Sequence, residues 1–438
     1  MLSSHAANAA KESKHPNEMR ILIILSALMS FASISTDLYL PALPALAAEF
    51  HAAQGLMELT LSSFLIGFSV GQLFWGPISD RYGRRLPIAI GLILFVLGSI
   101  GCALSESVWQ MLVWRVVQAI GACAGPVLAR AMVRDLYARE QSARMLSTLI
   151  LFMGAAPLLG PILGGQILLA WSWHTIFWIL ASVGLLTLLM LLALPETLPA
   201  SRRNNEPLLN SVRAYVALIR SPKLMSYAIA GGFFYAGAYA FIAGTPFAYI
   251  DYYQVSPQAY GLLFAVNIAG IMLANFINSR VVTKLGSQTL FRLGAAIAAG
   301  TGVLMALDAH LGWGGLVGLA LPVFFYMSMN GLIVANSVAS ALADFPHQAG
   351  AASALIGAMH YGSGILSAAM VGWLSDGTPW TMSWIIAVSG LGCLAMAWFA
   401  TRSPLQVALS TSPLKDNNKH LDFALKGTRS IIIFRESP

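Results

Sequence analysis

Between two apolar blocks the chain reads Gly76-Pro77-Ile78-Ser79-Asp80-Arg81-Tyr82-Gly83-Arg84-Arg85. Three arginines and one aspartate crowd into these ten residues. The flanking blocks, at roughly 54–75 and 87–105, are mostly apolar and about as long as a helix needs to cross about 30 Å of hydrocarbon. Two glycines permit a tight turn, and the arginines hold the turn in water. The stretch therefore reads as a short loop joining two membrane-crossing helices.

Working outward, the same reading finds twelve blocks, at roughly 21–45, 54–75, 87–105, 108–129, 145–169, 173–194, 224–248, 258–280, 289–308, 314–341, 350–373 and 379–401. Composition agrees. Of 438 residues, 57% are hydrophobic and 10% charged, against about 25% charged in an ordinary soluble protein. Mean hydropathy is +0.72. A soluble enzyme, a disordered chain and a secreted disulfide scaffold are all excluded. Cys102, Cys123 and Cys393 are too few and too scattered for a metal cluster or a disulfide framework. There is no G-x₄-G-K-[ST] loop for nucleotide and no nucleophile constellation, so neither ATP-driven transport nor an enzyme is expected. No cofactor and no metal are implied.

The expected organisation is all-α: a segment 1–20, a six-helix bundle over 21–194, a linker over 195–222, a second six-helix bundle over 223–401 and a tail over 402–438. Lys11, Lys14 and Arg20 ahead of an apolar run, with Ala45-Leu46-Ala47 after it, resemble a signal peptide. Eleven further blocks follow, so the run is read as an uncleaved first helix. If the N-terminus is cytoplasmic, 24 of the 25 Lys and Arg residues fall in inner loops or at the termini, as cytoplasmic loops require. Both ends are then cytoplasmic. Basic residues clustered between apolar blocks explain the net charge of +7 without nucleic acid.

The remaining basic residue is Arg115, inside the fourth helix, and Asp37 lies late in the first. At about 1.5 Å per residue, both sit roughly 10–15 Å from the outer ends of their helices. Charges at that depth cost about 2.5–3.5 kcal/mol on insertion scales. One reading is a wet cavity in which Asp37 binds a proton and Arg115 tunes it. The other is a structural salt bridge locking two helices.

The opening stretch resembles the G-x-L-[AS]-D-R-x-G-R-[KR] signature of the major facilitator superfamily, with Ile78 in place of the leucine. The resemblance implies an inner gate carried by Gly76, Asp80, Arg81, Gly83 and Arg84, where the residues alone would also fit a simple topology anchor. In the fourth helix, Arg115-Val116-Val117-Gln118-Ala119-Ile120-Gly121-Ala122 is similar to R-x-x-Q-G-x-G-A, which implies a proton-coupling role for Arg115. In the fifth, Gly154, Pro157, Gly160, Pro161 and Gly164 resemble an antiporter motif, with Ala156 in place of its first glycine. Close helix packing alone would explain the same small residues. Asp37-Leu38-Tyr39-Leu40-Pro41-Ala42-Leu43-Pro44 resembles the bicyclomycin-resistance-like (Bcr/CflA) branch of drug:proton antiporters. Some relatives carry a second acid two turns earlier. Met29 stands there, which counts against two-proton exchange.

The resemblance covers roughly 20–400 and implies two pseudo-symmetric bundles around a central cavity. A degenerate repeat is visible, with Thr283-Lys284-Leu285-Gly286 standing where Asp80-Arg81-Tyr82-Gly83 stands. Cavity candidates are Tyr39, Gln118, Tyr235, Tyr239, Asn267, Asn330, Asn336 and His360, each of which would equally serve a helix–helix hydrogen bond. The expected partners are protons, a small molecule and the lipid bilayer, and the expected state is a monomer. The expected activity is proton-coupled export of amphiphilic antimicrobials from a bacterial inner membrane. The alternative is carriage of a metabolite, such as a nucleoside or amino acid, on the same scaffold.

Overall fold

The structure, a computed structural model, describes residues 18–137, 139–203, 208–345 and 348–401. The N-terminal segment up to residue 17, the 402–438 tail and His347 lie outside the described residues, as do the side chains of Arg139 and Arg144. Among the described residues there are helices and no strands. Twelve helices are long and apolar enough to cross a membrane. Spans 1 to 6 are Met19–Glu49, Gln54–Tyr82, Arg85–Ala103, Val108–Leu136, Met153–Ala170 and Trp173–Leu191. Spans 7 to 12 are Pro222–Tyr252, Pro257–Leu285, Ser287–Leu311, Gly315–Leu342, Ala349–Trp373 and Trp380–Ala400. Large apolar side chains such as Ile66, Phe74, Leu97, Leu262 and Leu366 face outward, as a hydrocarbon solvent requires of a fully hydrogen-bonded helix.

Two departures from the sequence reading matter. The stretch expected as a linker, 195–222, carries a helix of its own, Leu208–Ile219. Its Tyr215 hydroxyl donates to the Leu73 carbonyl at 3.1 Å. Span 1 is also broken: the helix stops at Asp37, a 3-10 turn covers Leu40–Ala42 and a short helix resumes at Leu43. Pro41 and Pro44 lack the N–H groups that a continuous helix would use.

The repeat is visible in the backbone. Gly83 ends span 2 with φ +91° and donates to the Ser79 carbonyl, and Gly286 ends span 8 with φ +79° and donates to the Val282 carbonyl. Residues with a Cβ rarely adopt such angles.

Spans 2 and 11 run antiparallel and touch along part of their length. A methyl on Gly55 would run into the Gly372 carbonyl, and one on Gly364 would meet Leu65 at 3.1 Å. Phe68 packs on Tyr361 with ring centroids 4.5 Å apart, and the Ser69 hydroxyl donates to the Ala358 carbonyl at 2.9 Å. Beyond Gln72 and Gly357 the helices part, and Gly76 and Gly350 face open space. Spans 5 and 8 meet at the same end of the molecule, where methyls on Gly165 and Gly261 would stand 2.7 Å from the carbonyl oxygens of Pro257 and Pro161. The face at the Gly55–Gly372 end is therefore shut. The face bearing the Gly83 turn opens into a vestibule of about 440 Å³, lined by Gln72, Asp80, Arg130, Arg134, Tyr215 and Ala354 among others.

Candidate functional site

Asp37 sits where span 1 breaks. It is buried, and its carboxylate accepts a hydrogen bond from Thr36 Oγ1 at 3.1 Å. A methyl on Gly160 would come within 2.9 Å of the Asp37 Cβ, and one on Gly164 would meet the Leu38 backbone. The small residues of span 5 thus let the broken helix approach closely. Asp37 faces inward: its charge reaches the phenols of Tyr239, Tyr260 and Tyr361, on spans 7, 8 and 11.

Arg115 does not meet it. The guanidinium is fully buried. It donates to the Ser35 carbonyl at 2.9 Å and to Gln118 Oε1 at 2.7 Å, and Gln118 passes the chain on to Ser99 at 2.8 Å. It lies 4.4 Å from the ring centroids of both Tyr39 and Phe64. The Tyr39 hydroxyl in turn bonds Thr60. No ion pair joins Arg115 to Asp37 among the described residues. Among the described residues the locking salt bridge does not form, and any tuning of Asp37 by Arg115 acts without direct contact. Similar depth along two helices says nothing about rotation about their axes: Arg115, on span 4, reaches the Ser35 carbonyl of span 1 and not the Asp37 carboxylate.

The cavity candidates divide into three groups. Tyr235, Tyr239, His360 and Tyr361 form one aromatic cluster, with Tyr235 stacked on His360 at 4.6 Å and about 6 Å from Tyr239 and Tyr361. Asn330 lies beside the Tyr235 hydroxyl. Arg130, on the vestibule wall, is within electrostatic reach of Tyr235 and Tyr361. Tyr361 is thus within electrostatic reach of both Arg130 and Asp37. Tyr39 and Gln118 instead belong to the Arg115 cage. Asn336 donates to Asn278 Oδ1 at 2.8 Å and Asn267 to its own helix at Leu263. Asn336 thus makes a helix–helix hydrogen bond, a role a buried amide readily fills, while Asn267 bonds within its own helix. Tyr361, one residue from His360, was not singled out by sequence.

At the open face, Arg84 Nε donates to Asp135 Oδ2 at 2.7 Å, and its Nη1 to Asp80 Oδ1 and Ser79 Oγ at 2.6 Å. Glu196 accepts the backbone amides of Arg84 at 2.8 Å, Arg85 at 3.1 Å and Leu198 at 3.0 Å. Partial burial pushes the Glu196 carboxyl up, but the three amides and nearby Arg203 outweigh it and hold it below the usual carboxylate range. Arg81 is exposed, its guanidinium 5.7 Å from the Tyr82 ring. Asp135 and Glu196 are thus parts of this latch that the signature did not include. Their partners lie 51 and 112 residues away along the chain.

The chain matches the Major Facilitator Superfamily over residues 23–369. It is 34% identical to a bicyclomycin resistance protein homolog of Haemophilus influenzae, covering 80% of this chain and 88% of the relative. It is 30% identical to a chloramphenicol resistance protein of Pseudomonas aeruginosa, covering 85% and 90%. In three dimensions it is similar to the partially occluded inward open conformation of the xylose transporter XylE from E. coli, with TM-score 0.69 at 16% identity over 88% of this chain and 98% of that one.

Proposed function

Since the chain belongs to the major facilitator superfamily, we propose that it exports small amphiphilic antimicrobials in exchange for protons, by alternating access, across a bacterial inner membrane. Relatives named for bicyclomycin and chloramphenicol resistance support the cargo class. On this reading both termini and the Gly83 turn are cytoplasmic, and the open vestibule faces the cytoplasm.

The observation that carries the reading is the Asp37 carboxyl, buried at a helix break within electrostatic reach of phenols of the opposite bundle, with no ion-pair partner among the described residues. A buried carboxylate is costly unless paired or hydrated. Charge on Asp37 must therefore be met by a proton, by a cationic group on the cargo or by water. An amphiphile entering the vestibule meets Tyr235 and Tyr361, whose rings suit an aromatic or cationic face. Reaching Asp37, it displaces the proton to the cytoplasm. The bundles then rock about the spans 2–11 and 5–8 contacts, the cargo leaves on the other side, and Asp37 takes up a proton there. The small residues of the span 5 motif let the Asp37 segment lie against span 5. The Arg84 latch braces spans 2, 3 and 4 as one body.

The test is drug susceptibility of cells with and without the protein, followed by transport in proteoliposomes. Asp37→Asn is expected to abolish accumulation against a gradient while leaving passive exchange. An Asp37→Asn protein that still concentrates its substrate removes the proton role. A change in growth on one metabolite with no change in drug tolerance makes that metabolite the cargo.

A further inference from the structure

A second carboxyl is buried with no basic partner among the described residues. Glu58 lies one turn into span 2, at the shut face, with no exposed surface. One oxygen accepts from Gln54 Nε2 at 2.9 Å, and the other has no hydrogen-bond partner. Its pocket, about 10 Å³, has room for no more than about one water. The closing partners are Gly244 of span 7, Val371 and Ser375 at the end of span 11, and Thr381 and Met382 of span 12. None of these is charged, and Gln54 on Glu58's own helix is neutral. Asp376, in the loop beyond span 11, is exposed and accepts from Thr378. A methyl on Gly372 would stand 3.5 Å from the Glu58 Cβ. The side chain is therefore enclosed by the very contact that shuts this face.

We propose that Glu58 is a proton-operated latch on the outer face: the shut arrangement holds it as the neutral acid, and parting of spans 2 and 11 lets it ionise into the outer solution. The proton taken up on closure comes from the outer solution and returns there on opening, so Glu58 carries none across. The proposal rests on the function above only for naming this face the outer one. An ionised group with one unpaired buried oxygen is costly, and opening replaces that cost with hydration. Acid outside then favours the state that faces the cytoplasm, and alkali outside releases it. Asp37 does not share this role, because it lies at the centre and reaches the phenols of spans 7, 8 and 11.

The test uses the full chain in lipid nanodiscs, without drug, spin-labelled at Ala53 and Leu374, which flank the contact. Distance distributions are taken across a pH series in an Asp37→Asn background, which removes the central acid. Linkage to one proton predicts that the open:shut ratio rises by up to about tenfold per pH unit across the titration. Adding Glu58→Gln, which resembles the neutral acid and keeps the Gln54 bond, is expected to abolish that rise with the shut distance retained. Glu58→Met serves the same purpose should the glutamine variant misfold. A flat response in Asp37→Asn alone, or a pH response that persists with Glu58 replaced, overturns the latch. Neither result bears on whether Asp37 drives transport, which the proteoliposome assay decides separately.

Discussion

Arg115 lies against the face of Tyr39, 4.4 Å from its ring centroid, and not against the carboxylate of Asp37 two residues earlier. With Phe64 at 4.4 Å on another side and the Ser35 carbonyl at 2.9 Å, the guanidinium fastens span 4 to the break in span 1. It positions the backbone that carries the acid.

Arg115→Lys therefore tests positioning against direct tuning. Lysine keeps the charge but loses the planar fork and the stacking surface. Losing one charge-assisted hydrogen bond and part of a desolvated cation–π contact is expected to cost about 2–4 kcal/mol, seen as a lower melting temperature in detergent. Transport should fall while the pH at its half-maximum stays unchanged, because no ion pair to Asp37 is lost. A displaced pH profile with unchanged stability would show that Arg115 acts on the proton site after all.

The aromatic cluster makes a separate prediction. Tyr235, Tyr239 and Tyr361 form one cluster, and Tyr361 packs on Phe68 at 4.5 Å. Tyr361→Ala should open a path to the acid, at a cost of up to about 3 kcal/mol for the lost ring. A carbodiimide supplied from the vestibule side should then label Asp37 faster, with the labelled position read by mass spectrometry. An unchanged labelling rate would mean that the phenols are not the barrier.

Closure of the face at the Gly55–Gly372 end depends on backbone meeting backbone. A methyl on Gly261 would stand 2.7 Å from the Pro161 carbonyl oxygen and 2.8 Å from the Ile162 Cα. No side chain can swing aside there. Gly261→Ala is expected to disfavour the shut state by about 1–3 kcal/mol. Labelling of a cysteine placed at Leu61, buried in span 2 while this face is shut, should rise accordingly. A variant as well shut as the parent would show that spans 5 and 8 slide to accommodate the methyl.

Hydropathy made the twelve spans legible, because a hydrocarbon solvent demands unbroken apolar length. Lone charges in such length drew attention to Asp37 and Arg115 for the same reason. What sequence could not supply was rotation about helix axes. It left the Asp37–Arg115 contact open, and it could not separate Asn336, bonded to Asn278, from a cavity wall. Glu58 was passed over because it lies one turn from a span end, where polar residues are ordinary. Only the packing of Gly372 over it makes its burial visible. The break in span 1 was implicit in Pro41 and Pro44, and the turn at Gly83 in a glycine that adopts φ +91°.

Glu196 offers a test, through pH, of the hydrogen-bonded cluster around Arg84. It caps the start of span 3 by accepting the amides of Arg84 and Arg85, and its carboxyl is held below the ordinary range. A group lowered by folding stabilises the folded state above its unfolded pKa, about 4.3. That contribution is lost as pH falls below this value and through the folded pKa. Glu196→Gln retains one acceptor oxygen and no charge. It is expected to cost about 1 kcal/mol at neutral pH, as cap removals do, and to flatten the fall in melting temperature between neutral pH and pH about 3. Melting curves that run parallel to the parent through that acid range would show that Glu196 does not carry the acid sensitivity of this face.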